Sequence, residues 1–156
     1  MYNTVHVFID TEFNGYDGEL ISLALLSEHD ADVAYYQVFT VIAPVETWVN
    51  RHVIPYVHEF PTSGCRLQTW LNTIARNHQA DTIEIIADWP DDIRYFCRTL
   101  ITGPGRMIDP DCRLTFALER EACEGPYRPA IPHNALSDAA ANRLNYLRHM
   151  SDDEEE

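Results

Sequence analysis

The sequence contains no lysine, and this absence removes several mechanisms. All eleven basic residues are arginines. Schiff-base catalysis, Walker A phosphate loops and phosphotransfer with a catalytic lysine all need a lysine amine, so none of these sites can be built from the chain. Arginine is left to contact phosphate groups, which its forked guanidinium can bind with two hydrogen bonds.

Three further patterns are missing. The four cysteines never form a C-x-x-C pair, which indicates reduced, structural thiols in place of a zinc knuckle or a redox site. No stretch approaches the roughly 18 consecutive apolar residues of a membrane helix. The N-terminal "MYNTVHVFID" lacks the basic-then-apolar order of a secretory signal. We therefore expect a soluble, cytoplasmic protein with no membrane contact.

Positive charge is scarce, and the formal net charge is −14. This balance opposes nucleic-acid binding, because phosphate affinity normally comes from Lys and Arg that displace counterions. Part of the acidic excess lies in the terminal "SDDEEE", which we expect to be a solvated tail at 151–156. Carboxylates that hold divalent cations would also present positive charge to an anion. A metal-dependent nucleic-acid-binding protein therefore remains compatible with the composition.

The order of β-rich and helical patterns predicts the fold class. Three β-rich runs, Val5–Asp10, Leu20–Ser27 and Ala34–Ile42, indicate an antiparallel meander at the start. Later patterns indicate further elements: a short helix ending at Pro55, a helix at 63–78, a strand at 82–88, a helix beginning at Pro90 and a closing helix at 133–150. We predict one α/β domain at 1–150, with three antiparallel strands followed by parallel strands and helices on the faces of the sheet.

Helical spacing also predicts which side chains are buried. In the helix at 63–78 these are Leu67, Trp70, Leu71, Ile74 and Ala75. In the closing helix they are Leu136, Ala140, Leu144 and Leu147. The segment 103–132 is rich in Pro, Gly and Arg, and its fragments "MID" and "LTFAL" are too weak to assign.

Paired acids follow the first strand. In "FIDTEFNG", Asp10 and Glu12 point to the same side of the strand, whereas Thr11 points away. Two ionised carboxylates at the edge of a core repel each other and lose hydration, a cost that a bound cation usually offsets. Two solvated acids at a frayed strand end are the alternative, so this motif is weak when taken alone.

Further acids follow the later elements. Asp88, Asp91 and Asp92 lie at a strand-to-helix junction, and Asp138 lies in the first turn of the closing helix, with His133 five residues before it. Acids are favourable near helix N-termini, and we assign Asp91 to that role. Phosphoryl hydrolysis with two metals needs three or four carboxylates from separate elements and a base for the attacking water. The sequence contains such a set.

Three segments together resemble the motifs of the DEDDh 3′-to-5′ exonuclease superfamily. They are "FIDTEF", "IIADWPDDIRYF" and "HNALSDA", and the resemblance runs from about Val5 to Arg143. "DTEF", "ELISLALL" and "WVNRHVIPYV" are similar to the short stand-alone exoribonuclease branch typified by mycobacterial RNase AS. The spacing of His133 and Asp138 matches the histidine subtype. The sister subtype has a tyrosine four residues before the last aspartate, where this chain has Asn134.

The resemblance implies an RNase H-like fold and a two-metal site. It assigns two Mg²⁺ or Mn²⁺ ions to Asp10, Glu12, Asp92 and Asp138, and the role of general base to His133. In the second motif the family pattern has asparagine at the position of Asp88. Asp88 is therefore expected to touch substrate or an outer-sphere water, and which of Asp88 and Asp92 is the ligand stays open.

The resemblance also implies substrate contacts. Thr11, Glu12 and Phe13 would line the seat of the terminal nucleotide. Trp48 is either a base-stacking residue or a core tryptophan. Arg120 and Arg128 either clamp the substrate backbone or serve solubility alone.

The function that the resemblance implies is 3′-to-5′ exonuclease activity, which we expect to act on RNA, with DNA left open. It would release nucleoside 5′-monophosphates from single-stranded or short 3′ ends, and a homodimer is implied. The alternative is a catalytically silent nucleic-acid-binding or nucleotide-binding module of the same fold. The complete set of five residues argues against that alternative, and His133 disfavours an RNase H-type endonuclease.

Overall fold

A computed structural model describes residues 2–154 and contains a five-stranded mixed sheet. Strand β1 (Thr4–Phe13) pairs antiparallel with β2 (Leu20–Ser27), which pairs antiparallel with β3 (Tyr35–Val38). On its other side β1 is parallel to β4 (Thr82–Ala87), and β4 is parallel to β7 (Arg113–Leu118). The strand order is thus β3-β2-β1-β4-β7. The predicted α/β class, with an antiparallel meander followed by parallel strands, is confirmed.

Helices cover both faces of this sheet. Val7 and Ile9 of β1 point towards helix α2 (Leu67–Asn77) and helix α3 (Pro90–Leu100), within one large apolar cluster. Phe8 points the other way and packs against Tyr146 of helix α5 (Ala135–Asp153). The side chains predicted to form the buried face of α2, namely Leu67, Trp70, Leu71, Ile74 and Ala75, are all buried. The resulting single domain has β1 and β4 at its centre.

The inward face predicted for the closing helix is confirmed only in part. Leu136 and Leu147 are half-buried and pack against apolar clusters of the core, but the prediction is wrong at Leu144. Leu144 is 42% exposed, whereas Ala135 and Ala139 are completely buried. The alanines pack against Ala24 of β2, because small side chains let the helix backbone lie close to the sheet. Arg143 is also buried, and its guanidinium donates to the carbonyl of Glu28 at 2.7 Å. The completely buried positions of α5 are therefore alanines, and Leu136 and Leu147 are only partly buried.

The unassigned segment forms several short elements. A hairpin of β5 (Ile101–Gly103) and β6 (Arg106–Met107) precedes β7, and helix α4 (Arg120–Cys123) follows it. The fragment "LTFAL" is thus an edge strand. Helix α1 (Thr47–His52) and a 3₁₀ turn (Ile54–Tyr56) lie between β3 and α2, so Pro55 lies in that turn and α1 ends before it.

The acidic C-terminal segment begins as part of a helix. Helix α5 continues to Asp153, so the start of the acidic run "SDDEEE" is helical, and residues 155–156 lie outside the described residues. The four cysteines, all within the described range, are free thiols. No helix within residues 2–154 is long and apolar enough to cross a membrane.

Candidate active site

The carboxyl ends of β1 and β4 meet at one edge of the sheet. The two strands are parallel, with Phe8 opposite Ile86, so the residues that follow these positions leave the sheet side by side. Asp10 and Glu12 lie on β1, Asp88 follows β4, and Asp92 lies in the first turn of α3. In open α/β sheets this edge is where ligands bind. The fold therefore brings acids from two separate motifs to a common edge.

Helix α5 adds Asp138 to the same edge, and Asn134 fixes the start of that helix. The Asn134 side-chain oxygen accepts hydrogen bonds from the backbone N–H groups of Leu136 and Ser137, both at 3.1 Å. Its amide nitrogen donates to the carbonyl of Tyr56 at 2.9 Å. This buried cap sets where the first turn begins, and Asp138 lies in that turn. Comparison with the tyrosine of the sister subtype gave no indication of this capping role.

The carboxylates form two groups that share one member. Oxygen atoms of Asp10, Asp88 and Asp92 all lie within 4.8 Å of one another, as do oxygen atoms of Asp10, Glu12 and Asp138. Mg²⁺ and similar hard cations are held by oxygen ligands at about 2.0–2.6 Å, so oxygens this close can contact one ion together. Asp10 lies in both groups. The arrangement can hold two cations with Asp10 between them.

Two buried carboxylate oxygens are unpaired. Within residues 2–154, neither Oδ2 of Asp10 nor Oδ2 of Asp92 has a hydrogen-bond partner. The other oxygen of Asp92, Oδ1, accepts hydrogen bonds from the Thr11 amide at 3.0 Å and the Thr11 hydroxyl at 2.6 Å. A buried carboxylate oxygen without a partner is unfavourable, and a cation supplies the missing interaction. The residues present therefore fit Mg²⁺ or Mn²⁺.

Burial and mutual repulsion raise the pKa values of all four predicted ligands. Burial raises the pKa of Asp10 well above its ordinary value, and the charges of its carboxylate neighbours raise it further. Burial and the adjoining Asp138 raise the pKa of Glu12 to about 9. Burial also raises the pKa of Asp92 to about 8 and that of Asp138 to about 6. Near neutral pH this cluster needs positive charge, which either protons or divalent cations can supply.

A cleft of about 750 Å³ is lined by these acids and by His133. His133 has left-handed backbone geometry, with φ at 63°. Its ring makes an edge-to-face contact with Trp48, with centroids 5.0 Å apart. Trp48 is 53% exposed, so the core-tryptophan alternative is wrong. Trp48 instead lies on the surface next to the predicted general base.

The loop after β1 determines where Trp48 lies. The Asn14 side chain donates to the carbonyl of Pro44 at 3.0 Å and accepts from the Glu46 amide at 2.9 Å. Gly15, with φ at 72°, packs so closely against the Glu46 side chain that a Cβ there would lie 2.2 Å from its carboxyl group. These contacts hold the residues that lead directly into α1. The motif "FIDTEFNG" therefore positions Trp48 in addition to the two acids.

The residues predicted to contact substrate differ in the contacts that they make within the cleft. Phe13 lines the cleft and stacks on Tyr95, with ring centroids 4.9 Å apart. Thr11 also lines the cleft, but its amide and hydroxyl are both bonded to Asp92, so its main contact is with that carboxylate. Asp88 lies in the same group as Asp10 and Asp92, where both Asp88 and Asp92 can contact one cation. Its role as a substrate contact stays a prediction.

The junction between β4 and α3 contains one acid outside these groups and one aromatic residue that sequence reasoning missed. Asp91 is at the N-terminus of α3, as predicted, where it accepts a hydrogen bond from the Trp89 indole at 3.2 Å and forms an ion pair with Arg94 at 3.1 Å. Trp89 is 48% exposed and lines the cleft, with the Arg120 guanidinium 5.1 Å from its ring centroid. The available signal was a tryptophan between a buried strand and a helix-starting proline. Arg128 lines the cleft as well.

Comparisons with known proteins add no assignment to this geometry. No protein-family model matches the chain, and no curated protein matches it in sequence. The likeness of the three motifs to exonuclease motifs therefore remains an expectation, and the conclusions about the site rest on the positions of its residues.

We predict that the cation-free protein loses stability as pH rises. The four carboxyls titrate near pH 4 when unfolded, whereas the pKa values of Asp138, Asp92 and Glu12 in the folded chain are about 6, 8 and 9. The folded state then binds more protons between about pH 5 and 9, so the unfolding free energy falls across that window. Saturating Mn²⁺ should raise the melting temperature by about 5–10 °C, with a larger effect at the alkaline end.

Two variants test whether the effects of pH and Mn²⁺ arise from the clustered acids. Asp10→Asn should flatten the pH dependence and weaken the Mn²⁺ effect, whereas Asp91→Asn, which lies outside both groups, should leave the Mn²⁺ effect unchanged. Calorimetry with chelator or with Mn²⁺ at several pH values measures both. Equal Mn²⁺ shifts in wild type and Asp10→Asn would contradict the assignment of a cation to these acids.

A second prediction concerns the cap of α5. Asn134→Ala should lower the unfolding free energy by about 1–2 kcal/mol, because two N–H groups lose their acceptor and the carbonyl of Tyr56 loses its donor. Urea denaturation measures the change. Asn50→Ala, an exposed position in α1, is the matched control and should change stability by less than about 0.5 kcal/mol. Equal stability of the two variants would contradict the capping role.

Proposed function

We propose that the protein is a metal-dependent 3′-to-5′ exonuclease that acts on RNA and releases nucleoside 5′-monophosphates from single-stranded or short 3′ ends. The observation that carries the proposal is the convergence of Asp10, Glu12, Asp92 and Asp138 in two groups that share Asp10. Two adjoining cation positions are the arrangement used for in-line displacement at phosphorus. The strand order β3-β2-β1-β4-β7 agrees with the RNase H-like fold that the motif resemblance implies.

Each acid has a distinct structural role in this proposal. Asp10 contributes to both cation positions, Glu12 and Asp138 complete one, and Asp92 with Asp88 completes the other. Thr11 fixes the Asp92 carboxylate with two hydrogen bonds. When bound, divalent cations neutralise charge on the phosphate and make a coordinated water more acidic. They also give an anionic substrate a positive contact in an acidic protein.

His133 is the general base in the proposed reaction. An imidazole nitrogen accepts a proton from the attacking water and returns it to solvent, to which the exposed ring has access. The edge-to-face contact with Trp48 restricts the orientations of the ring. His52 adds to the same aromatic group, with its ring centroid 4.7 Å from that of Trp48.

Two exposed tryptophans would contact the substrate. Trp48 lies beside His133, and Trp89 lines the cleft with Arg120 against its ring. Nucleobases stack on exposed aromatic rings without strong sequence preference, and arginine reinforces such contacts. Beyond the cleft, the net charge of −14 repels a long polyanion. This combination favours short or single-stranded ends.

The activity test uses 5′-labelled single-stranded RNA and DNA, with Mg²⁺ or Mn²⁺ and with chelator. We expect a ladder that shortens from the 3′ end, requires the metal and forms faster on RNA. His133→Ala should lower kcat by about 10²–10⁴-fold, the usual contribution of a general base, while the Mn²⁺-induced rise in melting temperature persists. His149→Ala, at the far end of α5, is the matched control and should retain full activity.

Each alternative result supports a different conclusion. Binding of RNA without shortening would support the catalytically silent module. Internal cuts would support an endonuclease. Unchanged turnover in His133→Ala would remove that histidine from the mechanism.

A further prediction concerns the stacking residues. Trp48→Ala and Trp89→Ala should each raise KM by about 5-fold to 150-fold, because stacking on one base contributes about 1–3 kcal/mol. Steady-state kinetics on a short single-stranded RNA measures the change. Tyr16→Ala removes a ring that is 99% exposed and is the control, with no expected effect. A KM unchanged in Trp89→Ala would exclude this ring as a base platform.

A further inference from the structure

Strand β7 is an unpaired edge of the sheet. It pairs with β4 alone, and no other strand of the described chain lies along its second edge. The Arg113 amide donates to the Asp81 carbonyl and the Glu119 amide to the Ala87 carbonyl, both towards β4. Backbone groups alternate along a strand, so those of Leu114, Phe116 and Leu118 point to the free edge. This edge offers a complete row of donors and acceptors to another strand.

Apolar side chains accompany this edge. Phe116 is 39% exposed and Leu118 is 46% exposed, although both lie on the α3 side of the sheet. The β5–β6 hairpin adds Met107 and Ile101, which are 57% and 62% exposed. A groove lined by Leu114, Phe116 and Met107 runs between the hairpin and the strand. Native proteins usually block exposed edges with charge, proline or a covering element, and the middle of β7 has no charged residue or proline.

The charges at the two ends of this edge are self-complementary. Arg113 lies three residues before Phe116, and Glu119 lies three residues after it. In an antiparallel pair of two β7 strands centred on Phe116, Arg113 of each copy is opposite Glu119 of the other. Leu114 is then opposite Leu118, and Phe116 is opposite its own equivalent. Opposite charges in directly facing positions stabilise such a pair, and like charges destabilise it.

The backbone permits this register. Pairing across the free edge requires that the residues whose N–H and C=O groups point outwards face each other. Leu114, Phe116 and Leu118 are those residues, and this register pairs each of them with another member of the same set. Arg113 and Glu119 have the same parity along the strand, so their side chains lie together on the α5 side of the sheet. Burial raises the pKa of Tyr146 in α5 and the charge of Glu119 raises it further, which places Glu119 on that side.

We infer that two copies of this chain associate through β7, as an antiparallel pair around a two-fold axis at Phe116, which joins their sheets into one of ten strands. The sequence resemblance implied a homodimer without indicating a surface. This inference rests on the edge strand and does not depend on the proposed nuclease activity. An isologous contact is closed, because each copy uses its only β7 edge, so no further copies add.

The net charge of the chain does not exclude this contact. Two copies at −14 each repel at long range, but at about 0.15 M salt charges more than about 8 Å apart are largely screened. The facing Arg113 and Glu119 side chains are closer than that distance in the paired register. Association should therefore strengthen as salt rises from low to physiological concentration, because the long-range repulsion is screened first.

Charge reversal tests both the surface and the register. Sedimentation velocity of the full chain at about 0.15 M salt and up to about 100 µM should show a dimer. Arg113→Glu and Glu119→Arg should each raise the dimer Kd by about tenfold or more, because each turns two attractions into two repulsions. The double variant should return to within about threefold of wild type. A mixture of the two single variants should form a heterodimer, in which every facing pair is again opposite in charge.

Controls make each outcome decisive. Arg76→Glu makes the same charge change on the exposed side of α2 and should leave the Kd unchanged. Unfolding curves verify that each variant is folded, which we expect because Arg113 is exposed and Glu119 is half-buried. A wild-type chain that stays monomeric at every concentration overturns the inference. A dimer insensitive to both reversals places the contact elsewhere, and failure of the double variant to recover overturns the register.

Discussion

The main physical constraint on this structure is the repulsion among the carboxylates that the fold gathers around Asp10. Parallel pairing of β1 with β4 brings their carboxyl ends together, and α5 adds Asp138 from the other side. The two groups that result share Asp10, and two of their buried oxygens have no partner within residues 2–154. Such an arrangement is unfavourable by itself, because desolvation and like charge act in the same direction. A fold that keeps these acids together needs positive charge from outside the polypeptide.

The residues around the cluster hold it in place against that repulsion. Thr11 is bonded to one oxygen of Asp92, and Asn134 sets the first turn of α5. Arg143 attaches the middle of α5 to the end of β2 through the carbonyl of Glu28. None of these three side chains carries the proposed chemistry. Each restrains a helix or strand that carries one of the acids. The geometry of the acids is therefore set largely by hydrogen bonds of two neutral side chains and one buried guanidinium.

Much of the fold and the acidic positions of the site followed from local patterns. Alternation along β1 predicted that Asp10 and Glu12 face one way, and helical spacing predicted the buried face of α2. Long-range features did not follow from such patterns. Leucine spacing predicted the inner face of α5 only in part, because the positions packed most closely on the sheet are alanines. Strand β7 has six residues, as β4 does, but none of them is fully buried, so its sequence carried no clear strand pattern, and its register comes from pairing with β4. The link between Thr11 and Asp92 joins residues 81 positions apart and has no local signal.

The backbone of His133 separates what this position needs for the fold from what it supplies to the proposed reaction. Its φ of 63° lies in the left-handed region, which glycine adopts without strain and which asparagine, aspartate and histidine adopt more often than other residues do. A glycine here would suit the same backbone geometry while removing the imidazole. The turn before α5 therefore does not itself require a histidine, and the imidazole is what this position would contribute to the proposed reaction.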